Sequence, residues 1–128
     1  MTIKLSTEEF RNIVAFRKVT KIHPIDCLTN GNCVYFLVDA KKLGAAIGKN
    51  GSNIRMLSRI TNKQVQLLGL EEELEKTLKL LLPSLKAVEE NGNQVTAFIQ
   101  YPISGKRFQV IKEVVKRHFK KELKLMRY

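Results

Sequence analysis

The sequence predicts an α+β fold made of two copies of one α-β-β-α-α-β unit, each a three-stranded sheet packed against helices, the second copy degenerate. Three observations predict it. The turn "NGN" stands at 30–32 and again at 91–93, 61 residues apart. From Gly48 onward a second correspondence runs at an offset of 57, pairing Gly48 with Gly105, Lys49 with Lys106, Ile54 with Ile111, Arg55 with Lys112, Leu57 with Val114 and Arg59 with Lys116. Helix-period stretches alternate with β-branched and aromatic runs in the same order in both halves. The expected domains are 1–70 and 71–128.

Each element has its own signal. Ser6 three residues before Glu9 is a capping-box pattern. Phe10, Ile13, Val14 and Phe16 follow near helical spacing, which predicts a helix over 7–20. "PIDCL" suits a short strand near 24–28, and the β-branched and aromatic run "CVYFLV" a stronger one at 33–38. Asn30-Gly31 is expected to turn the hairpin between them. "AKKLGAAIG" suits a short helix over 40–47 ended by glycine. "SNIRMLSRIT" suits another, with Ile54, Leu57 and Ile60 on one face, and "QVQLL" at 64–68 a strand. An acidic helix is expected over 71–81, its carboxylates at the end the helix dipole favours, stopping before Pro83. "LKAVEENGNQVTAFIQ" repeats strand, turn and strand. "FQVIKEVVKRHFKK" is a helix with Val110, Ile111, Val114 and Val115 inward, and "ELKLM" a last strand. The second copy lacks four residues between its second strand and its Gly-Lys, about one helical turn, so its second helix is shortened or lost.

Composition limits function. The 128 residues are 44% hydrophobic, enough for a core, and carry a net charge of +11. Residues 1–69 hold +7, 70–100 hold −3 and 101–128 hold +7, so two basic blocks flank an acidic middle. Such an imbalance argues for a polyanionic partner. No apolar run reaches the about 18 residues of a membrane span, and the N-terminus has no signal-peptide core; a soluble cytosolic protein is expected. Cys27 and Cys33 fall on opposite faces of the hairpin, so buried free thiols are expected rather than a disulfide or a metal site.

The segment "GAAIGKNGSN" at 44–53 breaks a packed stretch with a bare turn. Gly48 and Gly51 permit backbone angles and close approaches closed to other residues. The amides at the start of the next helix attract anions. Lys49 adds a mobile charge, Asn50 tolerates the left-handed conformation, and Ser52 follows at the helix entry. Arg55 and Arg59 lie one turn apart on that helix. A nucleotide-binding loop of the form G-x-x-x-x-G-K-[ST] does not fit: one residue is missing between the glycines, Asn50 stands at the hydroxyl position, and a helix precedes where a strand is needed.

Strand, helix, "IGKNG", helix, strand resembles the core of a K-homology (KH) RNA-binding domain, "IGKNG" matching its Gly-x-x-Gly loop. The helix and strand ahead of that core imply the type II arrangement. Two such domains in tandem, with "LGAAIGKNGSNIRMLSRIT" in the first and "LLLPSLKAV" entering the second, resemble the NusA transcription factor family in its short archaeal form. The resemblance covers essentially the whole chain. It implies single-stranded RNA as partner, about four nucleotides lying along the two helices and the strand at 64–68. Gly48, Lys49, Asn50 and Gly51 would hold phosphates, with Ser52 in the same RNA-binding set; Ile47 and Ile54 would floor the bases, core packing being their other reading; and Arg55 and Arg59 would flank them. A role in elongation or termination through nascent RNA follows, with RNA polymerase as a second partner; action in ribosome assembly or on ribosomal RNA is the alternative.

The second copy departs from the pattern. Its loop reads "GKRF", Phe108 replacing the second glycine, so Gly105, Lys106, Arg107, Lys112 and Lys116 are expected to give accessory electrostatic contacts only. No cofactor, metal, membrane or small-molecule substrate is expected. An enzyme is not expected either: His23 and His118 have no carboxylate or nucleophile motif beside them and read as surface residues.

Overall fold

The computed structural model describes residues 6–128. The chain divides into two compact units, one ending at Leu70 and the other spanning Glu71–Tyr128.

In the first unit, helix α1 spans Thr7–Thr20. Both arms of its capping box form: the Glu9 amide donates to Ser6 Oγ at 3.1 Å and the Ser6 amide to Glu9 Oε1 at 3.0 Å. Strands β1 (Asp26–Asn30) and β2 (Cys33–Asp39) pair antiparallel, and β3 (Gln64–Leu70) lies parallel to β2. A 3₁₀ turn at Ala40–Lys42 leads into the short helix α2 (Leu43–Ile47), and α3 (Ser52–Thr61) returns the chain to β3. The parallel pair needs this helical crossover. Phe16, Val34, Phe36, Val38, Ala46 and Leu57 form the core, with the Phe16 and Phe36 rings 4.5 Å apart.

The helix faces differ in part from the expected ones. On α1, Phe16 is buried but Phe10 and Val14 are exposed, while Glu9 and Asn12 lie inward. On α3, Leu57 is fully buried and Ile54 packs on the core, but Ile60 is 54% exposed. This ten-residue helix rests on β3, α1 and α2 and buries only a narrow stripe; Ile60 falls outside it.

The second unit repeats the plan. Helix α4 (Leu74–Leu81) precedes β4 (Leu85–Asn91) and β5 (Gln94–Ile99), antiparallel; α5 (Gly105–Phe119) then leads to β6 (Glu122–Arg127), parallel to β5. Val110, Ile111, Val114 and Val115 are all buried, the face the spacing predicts. Helix α4 starts at Leu74, not at 71. The Thr77 hydroxyl explains the late start. It accepts from the Glu71 amide at 3.0 Å and lies 3.1 and 3.0 Å from the Glu71 and Glu73 carbonyls, pinning the residues that lead into the helix to its first turn.

Both hairpins turn one residue later than expected. Asn30 faces Cys33 and Asn91 faces Gln94, leaving Gly31-Asn32 and Gly92-Asn93 as the turns. Only the leading glycine of each has positive φ, 63° and 62°, so glycine occupies the position that demands it. Cys27 therefore faces Phe36. Cys33 still projects to the other side of β2, and both thiols are free and buried. Burial, with the Glu9 carboxylate next in weight, pushes the Cys27 thiol up to about 12.

Candidate nucleic-acid interface

The corner between α2 and α3 is built by its two glycines. Gly48 ends α2 at φ 80°, ψ 167°, a region essentially reserved for glycine. A Cβ there would lie 2.8 Å from Ser52 Oγ and 2.9 Å from the Asn53 side chain, so sterics and backbone both demand glycine. Asn50 (φ 55°) and Gly51 (φ 73°) are left-handed, and the Gly51 amide closes the turn on the Gly48 carbonyl at 3.1 Å. At Gly51 a Cβ would meet only Arg55 Nη1, at 3.5 Å, so φ alone selects glycine there. Asn53 Nδ2 donates to the Ala45 carbonyl at 3.4 Å and ties α3 to α2.

The turn stands out from the protein. Lys49, Asn50 and Ser52 are exposed; Ile47, Gly48, Gly51 and Ile54 are half-buried. Helix ends leave amides without intrahelical partners. Ser6 caps α1 and Ser104 caps α5, and α4 carries Glu75 in its first turn; α3 has neither a side-chain cap nor an acidic residue there. Its positive end faces solvent beside Lys49.

Arg55 has a role that spacing did not reveal. Its guanidinium donates to the Asn50 carbonyl, across the turn it was expected to flank. It clamps the left-handed residue from the helix side. Only a fold that brings position 55 back over position 50 exposes this. Arg59 is exposed one turn further along.

The "GKRF" segment forms no loop, contrary to expectation. Gly105 to Phe108 is the first turn of α5, capped by Ser104 Oγ accepting from the Arg107 amide at 3.2 Å. A phenylalanine at φ near +73°, where Gly51 sits, would be strained, so the chain takes the helical alternative. Residues 100–104 replace α2 with irregular chain. Arg107 Nη2 donates to the Leu81 carbonyl at 3.3 Å, a contact that anchors α5 to the end of α4. Lys112 Nζ lies 6.0 Å from the centre of the Phe108 ring, and Lys116 is exposed. His23 is exposed. Among the described residues no group of His, Cys, Asp or Glu is placed to hold a metal ion, and no helix is long and apolar enough to cross a membrane.

A three-stranded β1-β2-β3 sheet, one helical face and a Gly-Lys-Asn-Gly corner between two helices define a KH domain. The KH domain model matches residues 7–89, more than half of the chain, and the chain belongs to that family. Within it the chain is NusA-like. It is 28% identical over 131 residues to the probable transcription termination protein NusA of Methanocaldococcus jannaschii, a match covering 92% of this chain and 72% of that protein. The namesake of Methanococcus vannielii is 29% identical over 78% of this chain and 60% of its own length. That of Halobacterium salinarum is 37% identical over 53% and 49%. The crystal structure of APE1850 superposes with a TM-score of 0.78 at 25% identity, covering 95% of this chain and all of that one. That agreement over nearly the full length supports two tandem units of the same plan.

Proposed function

We propose that this protein binds single-stranded RNA through the corner at Gly48–Ser52 of its first unit and acts on transcription, in elongation or termination, by engaging the nascent transcript. The observation that carries the reading is the uncapped start of α3, exposed beside Lys49 on a turn whose glycines let a sugar-phosphate backbone approach. Ile47 and Ile54, half-buried beside the turn, offer apolar surface to unstacked bases. Lys49 and Arg59 add charge. Arg55 contributes mainly by holding the turn in shape.

The second unit, with its corner folded into α5, supplies electrostatic support through Lys106, Lys112 and Lys116. The names of the archaeal relatives favour transcription as the process, and RNA polymerase is the protein partner proposed with that process. The protein works as a binding factor, not as an enzyme.

The test is Lys49→Asp combined with Asn50→Asp, which sets two carboxylates on the phosphate path without touching the core. Fluorescence anisotropy with a single-stranded RNA should show at least a tenfold loss of affinity with an unchanged melting temperature. Parental affinity in the folded variant would remove the corner from the interface. Affinity purification from cells should recover RNA polymerase; recovery of ribosomal particles instead would move the function to ribosome assembly.

A further inference from the structure

We propose that the second unit carries a self-association surface: the bare face of its sheet, on which a second copy of this chain docks about a two-fold axis running along β5. Successive strand residues point to opposite sides of a sheet, and directly paired residues point to the same side. Val95, Ala97, Ile99 and Leu123 point to the side on which α5 packs, and all four are buried. The other side carries two rows across β4, β5 and β6. One is Ala87, Phe98 and Met126, the other Glu89, Thr96 and Lys124. Ala87, Glu89 and Lys124 are exposed, Met126 is 45% exposed, and Thr96 and Phe98 are only half-buried.

The same face of the first sheet is closed. Val34 pairs with Val65 there as Val95 pairs with Leu123 here, which sets Leu37 and Leu68 in the places of Phe98 and Met126. Tyr35 then stands for Thr96 and Leu28 for Glu89. Leu28, Tyr35, Leu37 and Leu68 are all buried. The second copy keeps two large apolar residues on this face and leaves it open to solvent, the mark of a surface that meets a partner.

Charge and size select the occupant. Glu89 and Lys124 stand at opposite ends of one row, with Thr96 between them. Neighbouring strands lie about 4.8 Å apart, so roughly 10 Å separates the two within one molecule, too far to pair. A two-fold axis along β5, in the plane between two stacked sheets, sets Glu89 of each copy over Lys124 of the other. It also sets the small Ala87 over the long Met126, and Phe98 over Phe98. An axis across the strands would stack Glu89 on Glu89 and Lys124 on Lys124, so the row admits one pairing and opposes the other. Aligned stacking of this kind is a common way for two sheets to pack. RNA fits the face poorly, because Lys124 is offset by Glu89 in its own row and by Glu122, which points the same way on β6. An interface of three short strands is small, so the dimer is a weak one.

The test is analytical ultracentrifugation of the full chain in about 0.15 M salt, which screens its net charge of +11. A reversible monomer–dimer equilibrium should appear between about 10 µM and about 1 mM. Glu89→Lys and Lys124→Glu, both at exposed positions, stack like charges across the axis. Each should weaken the dimer at least tenfold with an unchanged melting temperature. An equimolar mixture of the two variants should associate again, because each row then meets its opposite. In a mixture of isotope-labelled and unlabelled parent, filtered NMR spectra should show the Ala87 methyl of one molecule against the Met126 methyl of another. A parent that stays monomeric at about 1 mM, a dimer that neither reversal weakens, or a mixture that fails to regain association would each overturn the proposal. So would a single-stranded oligouridylate that saturably shifts the Thr96, Phe98 and Met126 amides, which would give the face to nucleic acid.

Discussion

Alanine in place of each glycine around the corner should give three different results, two of opposite sign. At Gly48 the backbone sits at φ 80°, ψ 167°, and holding a residue with a side chain there costs about 1–3 kcal/mol. The new Cβ would also lie 2.9 Å from Asn53 Nδ2, whose bond to the Ala45 carbonyl spans 3.4 Å; relieving the overlap breaks that tie. In a domain of this size about 1 kcal/mol moves the melting temperature by roughly 4–8 °C. Gly48→Ala should therefore lower the first transition by roughly 5–20 °C. At Gly51 the space is open and only the left-handed φ is penalised, at about 1–2 kcal/mol, so the fall is smaller. Gly44 lies inside α2 with nothing within 4 Å of its missing Cβ. Alanine there should stabilise by roughly 0.5–1 kcal/mol. Circular dichroism melts of the three variants, with RNA affinity measured well below each transition, decide the matter. Gly48→Ala should also bind RNA several-fold more weakly and Gly44→Ala as the parent does. If Gly48→Ala melts with the parent, or Gly44→Ala is as damaging as Gly48→Ala, the described turn is not the one the protein adopts.

Arg55→Lys keeps the charge but not the guanidinium that reaches Asn50, so it should retain the salt dependence of RNA binding and recover only part of the affinity lost in Arg55→Gln; anisotropy across a salt series measures both. Leu57→Ala should cost about 2–5 kcal/mol, whereas Ile60→Ser, at an exposed site on the same helix, should stay within about 0.5 kcal/mol; urea unfolding compares them. For Cys27 the folded pKa is about 12 against an ordinary value of 9.0. The unfolded chain therefore loses this proton first as pH rises, and the thiol's contribution to stability declines by about 1.4 kcal/mol per pH unit between those values. The difference in unfolding free energy between parent and Cys27→Ala should shrink across that window, and native Cys27 should resist thiol reagents at pH 8.

The corner itself was legible because glycine, asparagine and lysine carry their geometry in their identity. Gly48 and Gly51 occupy positive φ, and no tertiary contact is needed to know that few other residues can. The strands were equally plain, since "CVYFLV" is buried throughout and such a run has few alternatives. The helix faces were less so. Phe10 and Val14 repeat with the right period, but the inward stripe of α1 is set by what it rests on, and Glu9 and Asn12 take those places. The hairpin turns slipped by one because "NGN" offers two dipeptides and only strand register chooses between them. The fate of "GKRF" depended on a competition between a strained turn and a serine-capped helix, decided by Ser104 lying upstream. Arg55 illustrates the remaining gap: a charge on an exposed helix face reads as a ligand for phosphate, and its bond to a carbonyl five residues earlier exists only in three dimensions.

The central claim is that the α2–α3 corner of the first unit touches RNA. Amide shifts of the isotope-labelled full chain, followed during titration with a single-stranded RNA, test it most directly. The largest saturable shifts are predicted at Lys49, Asn50, Ser52 and Asn53, and these should vanish when Lys49 and Asn50 are both replaced by Asp. Saturating RNA that leaves those four amides unmoved while shifting others would contradict it.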